Sequence, residues 1–378
     1  MSFSILSPGR ILFGRGQAAQ AAALIRPFGT RVLLVHGASG RFAPGLSGQL
    51  AALGAEVQGI ACAEEPTLAL LEQALDQTRD FAPQGVVALG GGAVLDLGKA
   101  LAALIPATGD VLDHLEGVGK ALPLMADPLP FVALPTTAGT GAEVTKNAVI
   151  GVPEQGRKVS LRDDRMIARL AIVDPALTDG CPWPVTLASG LDAITQVIEP
   201  YVSCKATPYS DAIALPAIGP GLRAMLHLAV ADDAPARDAL AWTSLCGGLA
   251  LANAGLGMVH GFAGVIGGRT GAAHGAICGA LLGPVLAMNR ARSTGDARAR
   301  LDRVFEILAE VLGCTAEAAP EALASWAHGA GLPRLSALGV RPADHDDIAQ
   351  IAQTASSTKG NPVVLSHADL MQVLESAG

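Results

Sequence analysis

Three groups of residues carry side-chain types at spacings that chemistry can use. Asp192 and Gln196 stand four apart within Ser189–Glu199, so a helix there puts both on one face. His260 and His274 follow, each directly before a glycine. A carboxylate with two imidazoles is a three-ligand set for a catalytic divalent metal with one coordination position open. The plainer alternative is three unconnected polar residues of a core. Gly90-Gly91-Gly92 follows an apolar run and opens a helical pattern, which turns backbone N–H groups and the positive end of a helix toward a phosphate. Many glycine-rich turns of this kind bind nothing. The segment PTTAGTGAE (Pro135–Glu143) sets Thr136, Thr137 and Thr140 among glycines after another apolar run. It is either a second loop touching a nucleotide or a turn whose hydroxyls cap the next helix.

Such residues need elements to position them. The apolar runs Arg31–His36, Gly85–Leu89 and Pro130–Leu134 are bounded by Gly or Pro and read as buried strands. Gly45–Leu53, Leu68–Arg79 and Val94–Leu104 carry apolar residues at helical spacing between them, the signature of a largely parallel sheet covered on both faces. Ligands bind such sheets beyond the carboxyl ends of the strands. After about Asp174 strand-like runs stop, and Ala236–Gly255, Leu301–Leu312 and Glu321–Gly329 fit helices. The expected fold is α/β plus all-α: a parallel-sheet domain over 1–178, then an all-helical domain over 179–378. The boundary falls near Ala171–Pro184, where Asp174-Pro175 and Pro182-Trp183-Pro184 force turn or extended backbone. A cleft between the domains is the natural site.

Composition narrows the classes. With 378 residues, half of them apolar, the chain has material for two cores. It has no uninterrupted apolar run of about 20 residues to span a bilayer and no visible secretory signal, so a soluble, cytoplasmic protein is expected. Lys and Arg number 26 against 34 Asp and Glu, net −8, with no basic run to hold nucleic acid. The six cysteines are scattered without Cys-x-x-Cys, and read as reduced, mostly buried thiols.

Taken in order, GGGAVLDLGKA (Gly90–Ala100), PTTAGTGAEVTKNAVI (Pro135–Ile150), DPALT (Asp174–Thr178), SGLDAITQVIEPYVS (Ser189–Ser203) and VHGFAGVIGGRTGAAHGAICGALL (Val259–Leu282) resemble the iron-containing (group III) alcohol dehydrogenases. The likeness runs from about Ile11 to Leu374. It implies a dinucleotide-binding domain followed by a helical metal-binding domain, the dehydroquinate synthase-like arrangement. It also implies NAD(P)-dependent, metal-assisted hydride transfer between a small alcohol and its aldehyde or ketone. By the same likeness the metal is iron or zinc and the protein a homodimer or larger homo-oligomer. Carried over position by position, Gly91, Gly92, Ala93 and Asp96 look like diphosphate and nicotinamide contacts. Thr136, Thr137 and Thr140 resemble the second cofactor loop, and Lys158 the lysine near the ribose. Asp192, Gln196, His260 and His274 fall on the four metal-ligand positions, with Asp192, His260 and His274 as the catalytic set.

Two departures stand out. The family usually has His where this chain has Gln196, and a second His where it has Gly264, which removes a candidate proton relay. Three alternatives therefore stay open: a metal-independent reductase like the maleylacetate reductases, a polyol dehydrogenase like the glycerol enzymes, and a non-catalytic nucleotide-binding protein. The end of the Arg31–His36 strand bears on the cofactor. Dehydrogenases that select NAD commonly place Asp or Glu there, whereas this chain reads His36-Gly37-Ala38-Ser39-Gly40-Arg41. Gly37 and Ser39 leave room and a donor for a 2′-phosphate, and Arg41 either pairs with it or points into solvent. Acceptance of NADPH is expected.

Overall fold

The structure, a computed structural model, describes residues 2–378. It divides into two units: Leu6–Thr137 with Ala142–Thr178, and Asp179–Gly378 with Ala138–Gly141 and the N-terminal residues through Ile5.

The first unit contains strands β1 (Ile11–Phe13), β2 (Arg31–Gly37), β3 (Glu56–Cys62), β4 (Gly85–Gly90), β5 (Phe131–Pro135), β6 (Asn147–Val152), β7 (Arg157–Arg162) and β8 (Leu170–Val173). Its helices are α1 (Ala21–Ile25), α2 (Ala43–Ala52), α3 (Leu68–Arg79), α4 (Gly92–Leu104) and α5 (Val111–His114). Six strands form a parallel sheet in the order β1-β8-β5-β4-β2-β3, while β6 and β7 make a separate antiparallel pair. Side chains alternate across the sheet. Leu33, Val35, Val86, Ala88, Phe131 and Ala133 join one core with α3 and α4, and Val32, Leu34, Val87, Leu89, Val132 and Leu134 join another with α1 and α2. Burial on both faces explains why the central strands read as unbroken apolar runs. At the sheet's far side Asp174, just past β8, accepts from the backbone N–H of Gly16 at 3.0 Å and Ala18 at 2.8 Å, fixing the turn after β1.

From β2 the chain passes to β3 on one side of the sheet, and β4 pairs with β2 on the other. The order reverses there, so the ends of β2 and β4 form the crevice where parallel α/β sheets take ligands.

The second unit is helical: α6 (Trp183–Val202), α7 (Pro208–Leu228), α8 (Ala234–Ala254), α9 (Met258–Thr270), α10 (His274–Arg292), α11 (Gly295–Leu312), α12 (Ala319–Gly329), α13 (His345–Thr354) and α14 (His367–Ala377). Helix α6 is its axis. Every residue from Gly190 to Val202 is buried, as α7, α8 and α10 pack around it. Close approach is possible where neighbours lack side chains: a Cβ on Gly247 of α8 would lie 2.9 Å from the Gln196 Cβ, and one on Gly275 of α10 only 2.3 Å from the Ala188 carbonyl oxygen. Among the described residues no single helix is long and apolar enough to cross a membrane. Helices α8 and α9 together reach that length and composition, but the chain bends by 100° between them and their large apolar residues, Trp242 excepted, are buried or partly buried.

Candidate active site

A helix buried all round should be apolar all round, yet α6 buries Asp192, Gln196 and Glu199 at i, i+4 and i+7 on one face. What they meet is supplied by α9 and α10. His260 lies in the first turn of α9, and His274 opens α10 with Cys278 one turn later. One ligand atom from each of Asp192, His260, His274 and Cys278 lies within 4.8 Å of every other.

The hydrogen bonds fix which atoms face inward. Glu199 Oε2 lies 2.7 Å from His260 Nδ1, and its Oε1 accepts from the Val259 N–H at 2.7 Å. A carboxylate only accepts, so Nδ1 carries the proton and Nε2 keeps its lone pair. That nitrogen is 3.3 Å from Asp192 Oδ1, and His274 Nε2 is 3.8 Å from the same oxygen. Despite this proximity, Asp192 Oδ1 is buried and accepts no hydrogen bond, and Gln196 Oε1 is buried without a partner as well. Gln196 Nε2 donates to the other Asp192 oxygen at 3.1 Å, leaving Oδ1 aimed at the imidazoles. Unsatisfied buried acceptors are costly. The Asp192 oxygen converges with two imidazole nitrogens and a thiol, a donor set that fits a divalent transition metal.

The charges agree. Burial opposes ionisation of all three groups, but the Cys278 sulfur and Asp192 outweigh it at His274, which is lifted to about 9. The same neighbours with Glu199 hold His260 well above its ordinary range. The two imidazoles in turn keep the Asp192 carboxyl below the usual carboxylate range. Both histidine shifts show that the cluster favours positive charge at this point, which a divalent ion would supply in place of protons. The His274 side chain is 32% exposed while Asp192 is 1% exposed, which leaves the cluster open on the His274 side.

The residues expected to touch a dinucleotide mostly gather at strand ends in the α/β unit. Gly37 ends β2 and Ser39 follows it, Gly91 links β4 to α4, which Gly92 and Ala93 begin, and Thr136 and Thr137 follow β5. The first N–H groups of α4, like those of any helix, have no intrahelical partner, and no N-cap side chain accepts from them, an arrangement suited to an anion. Gly91 is needed for space and not for an unusual backbone: its φ is −74°, which any residue adopts, but a Cβ there would stand 3.3 Å from Thr137 Oγ1. Arg41 lies on the surface with its guanidinium 4.7 Å from the Phe42 ring centroid.

Three of the expected contacts sit differently. Thr140 belongs to Ala138–Gly141, which packs as part of the helical unit. Gly141, at φ +59°, comes so near Gly248 that a Cβ would lie 2.5 Å from its Cα. Asp96 accepts from the Val149 N–H at 3.1 Å, tying α4 to β6. Lys158, on β7, pairs with Glu65. Glu199 and Cys278 were absent from the sequence expectations. Their signal was available as helical spacing, three residues beyond Gln196 and four beyond His274. Cys278, read as one more buried thiol, instead stands among the ligand atoms because α10 turns that face toward α6.

Comparison with known proteins bears on the whole chain. Residues 8–175 match the sequence profile described as iron-containing alcohol dehydrogenase, and residues 186–378 that of the Fe-containing alcohol dehydrogenase family, C-terminal. The chain is 33% identical to alcohol dehydrogenase 4 of Schizosaccharomyces pombe, over 98% of this chain and 88% of that protein. It is 31% identical to the NAD-dependent methanol dehydrogenase of Bacillus methanolicus, over 98% of each. A crystal structure of 1,3-propanediol oxidoreductase superposes with a TM-score of 0.89 at 27% identity, covering 100% of both chains.

Proposed function

The chain belongs to the iron-containing alcohol dehydrogenase family, and from that premise we propose how its own residues divide the work of interconverting a small alcohol and its aldehyde or ketone. Asp192, His260 and His274 hold a divalent metal, and the ends of β2, β4 and β5 hold NAD or NADP. When bound, the nicotinamide takes or returns the hydride and the metal acts as a Lewis acid on the substrate oxygen. The protein's part is binding and orientation. Glu199 fixes the His260 tautomer so that Nε2 faces the centre. Gln196 turns Asp192 Oδ1 the same way. The N–H groups of Gly92 and Ala93 at the start of α4 receive the diphosphate, with Gly91 leaving it room beside Thr137. Gly264 carries no side chain, and nothing beyond its chain neighbours and its own helix lies within 4 Å of its Cβ position, so the proton that accompanies carbonyl reduction would come from water and not from a side chain there. A cytoplasmic setting belongs to the same reading and is supported by six unpaired cysteines.

The observation that carries this proposal is the Asp192 Oδ1 atom, buried, without a hydrogen bond and facing two imidazole nitrogens. The test begins with metal analysis of protein purified without chelator and NAD(P)H consumption on a panel of small aldehydes. His274→Ala should lose metal and turnover while still binding NAD(P)H. Full activity in that variant, or in protein shown to be free of metal, would overturn the assignment.

A further inference from the structure

Resting on the metal reading above, we infer that Cys278 is the fourth protein ligand of the centre, with Gln196 drawn back to hold Asp192, so that the centre is suited to zinc. The sulfur is 3.6 Å from His274 Nε2 and 3.9 Å from His260 Nε2. One S–H satisfies one nitrogen and cannot explain proximity to both. A shared ion does. For tetrahedral zinc with Zn–S of about 2.3 Å and Zn–N or Zn–O near 2.1 Å, trigonometry separates sulfur from nitrogen by about 3.6 Å and nitrogen from oxygen by about 3.4 Å. The sulfur edges stand at 3.6 and 3.9 Å, and the Asp192 Oδ1 edges at 3.3 and 3.8 Å. Four of the six edges of one coordination tetrahedron therefore have matching lengths, and the other two, between the imidazoles and between Cys278 and Asp192, are no longer than 4.8 Å.

The helices make this arrangement. His274 and Cys278 share a face of α10 at i and i+4. Gly275, between them, lets that face approach α6 until its Cβ position is 3.3 Å from the Asp192 Cβ. Gln196, on the family's fourth ligand position, points its amide nitrogen at Asp192 Oδ2. Through its amide nitrogen, which donates and does not ligate a cation, Gln196 positions Asp192. Thiolate is a soft ligand that selects zinc among the divalent ions of such N/O/S sites, and the partly exposed His274 side is where solvent or substrate would reach the centre.

The test uses the whole protein loaded with divalent cobalt, a spectroscopic stand-in for zinc, with bound cobalt counted independently. Wild type should show a near-ultraviolet thiolate-to-cobalt charge-transfer band, which Cys278→Ala and Cys278→Ser lose while binding cobalt at least tenfold more weakly. Zinc-edge X-ray absorption on wild type requires no variant and should find one sulfur in the coordination shell. Bound cobalt without the band, a band that persists in Cys278→Ala, or a zinc shell without sulfur would overturn the role of Cys278 and leave the metal reading standing. Failure of wild type to bind either ion would overturn both.

Discussion

Replacing Glu199 with Gln tests whether the metal cluster is organised from behind. The carboxylate makes two contacts at 2.7 Å, to His260 Nδ1 and to the Val259 N–H, and both partners are donors. Glutamine has one acceptor oxygen and one donor nitrogen, so whichever way the amide turns, one of those donors faces another donor. Either Val259 N–H loses its acceptor in the first turn of α9, or the ring adopts the tautomer that puts the proton on Nε2, where an ion requires the lone pair. Hydrogen bonds to charged groups contribute about 1.5–3 kcal/mol. Loss of such an outer carboxylate typically weakens metal binding by about 10- to 100-fold, equivalent to about 1.4–2.7 kcal/mol. Competition with a chelator of known affinity measures the change in wild type and variant, and thermal unfolding of the metal-free proteins supplies the control. Lower stability with metal affinity within about twofold of wild type, a gap of roughly 0.4 kcal/mol, would reduce Glu199 to a helix cap and refute the reasoning.

Three further predictions concern the other unit. Gly91→Val keeps an allowed φ yet fills the space beside Thr137, so NAD(P)H affinity should fall at least tenfold, about 1.4 kcal/mol, with little change in melting temperature; unchanged affinity on titration would make the loop a mere turn. Gly37→Asp adds a carboxylate where a Cβ meets nothing within 4 Å, so it should fold normally and lower kcat/KM for NADPH relative to NADH by about tenfold; equal losses with both cofactors, or a wild type that already prefers NADH by that margin, would contradict the reading of this strand end. Glu143 is pushed up by burial from 4.5 to about 7, so the folded state binds its proton more tightly than the unfolded one. Its contribution is thus greatest at acid pH and declines as pH rises through that window, by about 3 kcal/mol. Denaturant unfolding of Glu143→Gln between those pH values should lack this component of the slope, and a slope equal to wild type would show that Glu143 does not titrate there.

The sequence exposed elements buried on both sides and concealed those at the margins. Strands β2, β4 and β5 have near-continuous apolar runs because both faces meet helices, and α3 is announced by Thr67, whose hydroxyl accepts from Leu70 N–H at 3.2 Å. Strand β3 lies at the sheet edge, alternates polar and apolar residues and gives no such run. The three residues of β1 are too few for any periodicity. Within the cluster, Asp192 and the two histidines were singled out by chemical type. Glu199 escaped because a carboxylate on a helix is ordinarily solvated, and Cys278 because no second cysteine marks it in the chain. Their importance arises from the packing of α9 and α10 against α6, a relation between segments some 60 to 80 residues apart.

The pairing of β1 with β8 also bears on how the protein is made. Ile11 is in register with Ala171 and Phe13 with Val173, and the Asp174 carboxylate grips a backbone N–H 158 residues upstream. The first strand to leave the ribosome therefore waits for the last strand of its sheet, an interval on the order of ten seconds or more at ordinary rates of synthesis. Until then β8 is missing from its place beside β5, and β5 presents an unpaired edge to other nascent chains. So non-local a closure folds slowly, and the α/β unit should depend on chaperones during translation more than the helical unit, whose neighbouring helices can pack as they emerge.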